Sequence, residues 1–281
     1  MRLIKMTGGL GNQMFIYAFY LRMKKRHTNT RIDLSDMMHY NVHHGYEMHH
    51  VFNLPKTEFC INQPLKKVIE FLFFKKIYER KQDSSSLLPF DKKYFWPLLY
   101  FKGFYQSERF FVDMENDIRK AFTFNSELFN EKTQTMLKQI EHNEHAVSLH
   151  VRRGDYLEPK HWKTTGSVCQ LPYYINAIAE MNRRIEQPFY YVFSDDIAWV
   201  KENLPLPQAV FIDWNKGVES WQDMMLISHC RHHIICNSTF SWWGAWLNPK
   251  ENKTVIMPER WFQHCETPNI YPAGWIKVPI N

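Results

Sequence analysis

The sequence predicts an α/β protein built on parallel sheets with helices on both faces, and three observations carry that reading. The chain opens with a short apolar run (3–6), a glycine-bearing turn TGGLGNQ (7–13) and the helical stretch MFIYAFYLRMKKR (14–26), as doubly wound domains do. From residue 146 onward, short apolar runs alternate with amphipathic stretches, the pattern of repeated βα units. Four expected strand ends then carry clusters of polar residues, where sheets of this kind bind ligands.

The totals suit such a fold. The chain has 281 residues, 44% of them hydrophobic and 16% aromatic, enough for one large core or two ordinary ones. Disorder and repeat arrays are excluded. A formal net charge of +6 favours an anionic ligand, nucleic acid or an acidic surface. The basic residues are scattered in short groups rather than one stripe, which argues against nucleic acid. Five cysteines without a C-x-x-C pair fit a reducing compartment. The longest apolar run, VIEFLFF (68–74), is far short of the ~20 residues of a membrane span. A cytoplasmic protein is expected, its basic helices suited to a peripheral place at the inner membrane face.

The elements follow in order. The first helix ends in Lys24, Lys25 and Arg26, and basic groups suit that end. A histidine-rich stretch (39–55) has no regular zinc spacing and no acidic or cysteine partner set. It reads as a loop near a polar substrate, not a metal site. Residues 64–81 read as an amphipathic helix, 83–89 as a loop, and 131–145 as a polar helix that links two domains, 1–143 and 144–281. Then come strand 146–151, loop 152–166, helix 172–185, strand 189–194, helix 196–204, strand 209–212, helix 221–230, strand 233–236, helix 240–248 and a last strand 254–258.

The polar strand ends are Gly8–Gln13, His150–Asp155, Ser194–Asp196 and Asn237–Ser241. Each has a structural reading alone. Arg153 can pair with Asp155, and Asp195 or Asp196 can cap the next helix. Together, at converging strand ends, they favour a site. The last one is the most telling. A helix starting at Thr239 or Phe240 offers free N–H groups and a positive dipole end. The hydroxyls of Ser238, Thr239 and Ser241 add donors, making an anion site. Trp242, Trp243 and Trp246 anchor that helix in the core, and Gly244 and Ala245 let it lie close to the sheet. Arg152 supplies a forked cation for the same anion, such as a diphosphate. Neither a P-loop nor a G-x-G-x-x-G fingerprint is present. Asp223, in the preceding helix, is either a surface acid or a carboxylate that accepts from the N1–H and N2–H edge of guanine.

The motifs GGLGNQMF (8–15), FKGFYQSERFF (101–111), HVRRGDY (150–156), FSDD (193–196) and NSTFSWWGAWLN (237–248) together resemble the bacterial and animal α-1,2-fucosyltransferase family. The resemblance spans nearly the whole chain. It implies a GT-B-like fold, two facing Rossmann-type domains with a cleft between them. Residues 1–143 would form the acceptor-side domain and 144–281 the donor domain. It implies GDP-β-L-fucose as donor, the 2-OH of a terminal β-galactoside as acceptor, inversion at the fucose carbon, and no metal or other cofactor. The expected catalytic residues are Asn12, Arg152 and Asp155. The donor-binding set is Gly9, Gly11, His150, Arg152, Ser194, Asp195, Asp223, Asn237, Ser238, Thr239, Phe240 and Ser241, with Arg152 on the diphosphate and His150 and Asp223 at guanine. Asn12 cannot be a base. Asp155, Glu158 and His150 are chemically able, but no side chain is assigned that role. The competing readings are a fucosyltransferase of another linkage or acceptor and a catalytically silent glycan-binding protein.

Overall fold

The structure, a computed structural model, describes residues 2–37, 44–55, 58–59, 64, 68, 78–79, 100–264 and 268–281. The expected helix over 64–81, the loop over 83–89, Cys60 and Cys265 lie largely or wholly outside these residues. Two compact units are present: residues 1–125 with 268–270, and residues 126–267 with 271–281.

In the first unit, β1 (Arg2–Lys5), β2 (Thr30–Asp33), β3 (Glu58–Phe59), β4 (Tyr78–Glu79) and β5 (Tyr100–Lys102) form a sheet of order β3-β2-β1-β5-β4. Every pairing is parallel. The chain winds from β1 to one side and returns on the other, so the border of β1 and β5 is a switch point, where such sheets open a crevice. Helix α1 (Leu10–Arg26) starts directly after β1. From Met14 to Tyr20 every residue is buried, so this helix is enclosed rather than amphipathic. Its basic last turn is as the sequence implied. Asp33, at the end of β2, is buried and accepts from the Ser35 hydroxyl and from Tyr100 Oη at 2.7 Å, which ties β2 to β5. The unit also holds the short helices α2 (Met48–Val51) and α3 (Glu115–Ala121).

The second unit begins earlier than the expected boundary at 144. Helix α4 (Glu131–Glu141) belongs to it and is not a free linker. Its buried Thr133, Met136 and Ile140 form an apolar stripe at helical spacing within a mostly polar sequence. After α4 come β6 (Ala146–Val151), α5 (Pro159–His161), α6 (Leu171–Arg184), β7 (Phe189–Ser194), α7 (Ile197–Asn203), β8 (Ala209–Ile212), α8 (Trp221–His229), β9 (His232–Ile234), α9 (Thr239–Leu247), β10 (Val255–Pro258) and β11 (Ile276–Val278). The all-parallel sheet has the order β11-β10-β9-β6-β7-β8, and its switch point lies between β6 and β9. The sequence reading missed β11, three residues hemmed in by Pro272, Gly274 and Pro279. Such an edge strand carries too little pattern to stand out.

Alternate residues of β6, Val147, Leu149 and Val151, pack with Tyr173, Ala177, Ile178 and Met181 of α6, the period-two signature of a strand. On the other face Ser148 meets His233 Nδ1 at 2.8 Å, and Asn248 Nδ2 donates to His233 Nε2 at 2.8 Å. That fixes the proton on Nδ1. Burial holds this histidine well below its ordinary pKa, so it stays neutral. The tryptophans of α9 are core, as expected: Trp242 and Trp246 stack 8° from parallel, and Trp243 meets both edge-on. Gly244, however, serves a helix and not the sheet. A Cβ there would stand 2.5 Å from Ile227 Cγ2 of α8. Gly244→Ala is therefore expected to destabilise the protein by about 1–3 kcal/mol through overpacking. The urea midpoint should fall with its slope unchanged.

Candidate functional site

A cavity of about 580 Å³ opens at the carboxyl ends of the second unit's strands. It is lined by His150 and Arg152 at the end of β6, Ser194 and Asp195 at the end of β7, Asp213, Asn215, Lys216 and Gly217 after β8, Ser220 and Asp223 at the start of α8, and Phe240 at the start of α9. The site thus sits where the winding rule puts it.

Arg152 is oriented before any ligand arrives. Its Nε and Nη2 donate to the two carboxylate oxygens of Asp155 at 3.0 and 2.9 Å. Its guanidinium lies 4.9 Å from the centre of the Tyr156 ring, and Tyr156 Oη donates to the carbonyl of Asn237 at 3.0 Å. Among the described residues nothing accepts from Nη1, which leaves one end of the fork for a ligand anion. Asp155 is thereby the carboxylate that holds the arginine. The sequence paired Asp155 with Arg153 instead. Arg153 goes to Asp196 at 3.1 Å and lies 4.0 Å over Trp199.

His150 lies beside Phe240, ring centres 5.6 Å apart. Burial, with the Arg152 charge adding to it, pushes its pKa down to about 3. Burial pushes the Cys236 thiol up to about 11. At neutral pH the 3.3 Å contact between Cys236 Sγ and His150 Nδ1 is therefore S–H to neutral nitrogen, and His150 is neutral.

Asp223 carries the strongest electrostatic signal. Burial pushes its carboxyl up to about 8, only partly offset by a 2.8 Å hydrogen bond from Asn215 Nδ2. Asn215 Oδ1 in turn accepts from Asn130 and Thr133, so α4 braces this wall. Among the described residues Asp223 Oδ2 has no hydrogen-bond partner. The sequence missed Asp213, Asn215, Lys216 and Gly217. The strand-end rule, applied to the polar run after 209–212, would have found them.

The strand end at 237–241 differs from expectation. Asn237, Ser238 and Ser241 are buried and turned inward. Asn237 Nδ2 donates to the carbonyls of Thr165 and Trp261. Ser238 Oγ caps α9 by accepting from Phe240 N at 3.3 Å, and Ser241 Oγ donates to the Ser238 carbonyl. These groups build the helix start, and none of the three lines the cavity. Thr239 and Phe240 alone are partly exposed there, and of the five only Phe240 lines the cavity. At 194–196, Ser194 Oγ accepts from Asp196 N, and Asp196 caps α7. Asp195 accepts from Arg153 N at 2.8 Å and faces the cavity.

Gly9, Gly11 and Asn12 belong to the first unit. Gly9 caps α1, and its carbonyl accepts from Asn12 N and Gln13 N. Gln13 is fully buried; its amide donates to the carbonyls of Gly8 and Gly45 and accepts from Glu47 N. Gly8 has φ +83°, and a Cβ there would stand 2.9 Å from Asn12 Nδ2, so only glycine leaves that side chain its place. Asn12 Oδ1 accepts from Gln106 Nε2 at 2.7 Å. Glu47 is a buried acid that the sequence did not single out. Burial pushes it up to about 7, against a hydrogen bond from Leu10 N. A carboxyl whose pKa is raised on folding contributes most below its unfolded value and loses that contribution as pH rises through the folded one. The wild type therefore loses stability between about pH 4.5 and 7. Glu47→Gln should have a Tm advantage that is small at pH 5 and largest at pH 8, read by thermal scans in matched buffers. No group of three His, Cys, Asp or Glu side chains that could hold a metal is found among the described residues. None of the described helices is long and apolar enough to cross a membrane.

Two doubly wound parallel units, one with a cavity lined by an oriented arginine and a buried acid at its switch point, make an α/β fold of GT-B type. Its structure is similar to that of NodZ α-1,6-fucosyltransferase soaked with GDP-fucose, with a TM-score of 0.55 over 92% of this chain and 95% of that one at 14% identity. Residues 4–279 match the model of glycosyl transferase family 11, and the chain belongs to that family. It is 30% identical to an α-1,2-colitosyltransferase of Escherichia coli, over 98% of this chain and 97% of the relative. It is 34% identical to galactoside α-(1,2)-fucosyltransferase 1 of Homo sapiens, over 54% of this chain and 43% of that one. The protein is thus a fucosyltransferase-family glycosyltransferase, a class that moves a sugar from a nucleotide donor to a glycan.

Proposed function

We propose that the chain transfers L-fucose from GDP-β-L-fucose to the 2-OH of a terminal β-galactoside, with inversion and without a metal. The observation that carries this is the pairing, in one cavity, of an arginine with a free donor end and a buried carboxyl with a free oxygen. The arginine suits a diphosphate. The carboxyl, once ionised, accepts the two N–H groups on the guanine edge, which adenine does not offer. The acceptor oxygen attacks C1 of fucose as the bond from C1 to the β-phosphate oxygen breaks. The electron pair leaves with GDP, and the hydroxyl proton departs late, to phosphate or water. Arg152 stabilises the charge that grows on the leaving group, Asp155 and Tyr156 hold it in place, and Asn12 acts at the reaction centre. His150, neutral, contacts the base.

The colitosyl relative supports a second reading of the donor, since colitose is L-fucose without its 3-hydroxyl. GDP release from GDP-fucose and from GDP-colitose, each with lactose and N-acetyllactosamine in EDTA, tests both readings. Linkage analysis of the product tests the 1,2 bond. Acceptor-dependent release from GDP-fucose is expected; release from GDP-colitose alone would move the donor to the second reading. No release with any β-galactoside, despite GDP binding, would defeat the acceptor.

A further inference from the structure

The stretch at 101–111 joined the family resemblance without a role, and the structure gives it one. It leaves β5 at the border with β1, the first unit's switch point. The turn there is strongly determined. Gly103 and Tyr105 both have positive φ, 152° and 51°. For a residue as bulky as tyrosine this is uncommon. Its neighbours impose it: the Tyr105 ring stacks on Phe19 at 3.8 Å and meets Phe110 edge-on at 5.6 Å. Ser107 N donates to the Tyr105 carbonyl at 2.8 Å, and Ser107 caps the short helical turn Glu108–Phe110. The result is one buried amide, Gln106, with its Nε2 on Asn12 Oδ1. An uncommon conformation held by packing is a mark of function rather than of chance.

A carboxamide has one accepting end and one donating end. Gln106 takes the accepting end of Asn12. The donating end, Nδ2, has no acceptor among the described residues, and Asn12 is partly exposed. The geometry points to Gln106 as a positioning residue that turns the Asn12 amide donor-end outward, so that Asn12 donates a hydrogen bond to an oxygen of the glycosyl substrate. The nature of that substrate rests on the function proposed above. A donor fixed in this way stabilises negative charge growing on oxygen. Gln13 has no such part, because its amide is saturated by backbone groups.

Gln106→Glu tests this. A carboxylate only accepts, so it draws Asn12 Nδ2 toward itself and turns Oδ1 outward. The expected result is a kcat lower by about 10², with some loss of Tm from the buried carboxylate, the fold kept and the Kd for GDP-fucose within about threefold. In an Asn12→Ala background the same change should cost almost nothing, because the amide it acts through is gone. Losses that add, or a kcat close to wild type, overturn the proposal. A second readout needs no substrate. With isotopically labelled asparagine, the Asn12 side-chain signal (assigned by its loss in Asn12→Ala) should exchange rapidly with water in the wild type and be protected in Gln106→Glu. Protection in the wild type overturns the orientation. If the orientation holds but the wild type turns over no fucosyl donor, the substrate reading fails and the Gln106 contact stands.

Discussion

Arg152→Ala is expected to lower kcat by about 10²–10³-fold, the cost of removing a donor aimed at developing charge. The structure places the effect in the upper part of that range, because three features act through this one side chain. Asp155 grips two of its nitrogens, the Tyr156 ring centre lies 4.9 Å from the guanidinium carbon, and among the described residues nothing accepts from Nη1, which is left for the ligand. Alanine removes the cation and sets the Asp155 carboxylate's charge against that of an arriving diphosphate, so binding weakens along with turnover. Lysine restores charge but lacks the planar fork. It cannot serve Asp155 and the ligand at once, and its recovery should be small. Initial rates at saturating donor, with circular dichroism as a check on folding, measure this. A variant that keeps a tenth of wild-type kcat would remove Arg152 from the leaving-group role.

Asp223 yields the second large effect, and it is a proton. Burial holds this carboxyl up at about 8, so at pH 7 it is mostly neutral. Guanine needs the ionised form. GDP-fucose binding at pH 7 should therefore release most of one proton. The diphosphate diester of GDP-fucose has no proton of its own to release near neutrality. His150, also in the cavity, is neutral throughout this range. Affinity should rise about tenfold per pH unit below 8 and level off above it. Calorimetry in buffers of differing ionisation heat reads the proton directly. Asp223→Asn should abolish the release and weaken binding by about 10²–10³-fold, since its NH₂ would face the N–H groups of the base. Binding at pH 7 without proton release would exclude Asp223 as the guanine acceptor.

Much of the second unit was legible because its elements are long enough to carry a period. Strands 189–194 and 209–212 fall where the sequence put them, and the ends of the helices expected after residue 170 differ by one residue at most. What escaped was short or depended on partners. β11 has three residues between prolines. Helix 131–141 looked like a linker because its polar surface outweighs its three buried side chains. The site was legible as a place more than as a set of roles. Strand ends named His150, Arg152, Ser194, Asp195 and Phe240 as cavity residues, and the acid of the 221–230 helix added Asp223. They could not show that Ser238 and Ser241 face inward, since a hydroxyl that caps a helix and one that binds a ligand look alike in sequence. Nor could they show the Arg152–Asp155 clamp, which depends on the turn of backbone after β6. Glu47 and Gln106 sit in stretches with no periodic pattern, and only the fold brings them to the head of α1.

The placement of the tryptophans gives the molecule an uneven spectroscopic voice. Of its ten, all but Trp96 lie in residues assigned to the second unit, and three crowd into α9. Intrinsic fluorescence during denaturation thus reports the second unit almost alone, and the closely spaced indoles of α9 should give a coupled near-ultraviolet signal. Far-ultraviolet dichroism counts backbone in both units. Coincident curves from the two probes would mean that the units melt together; separated curves would show two transitions.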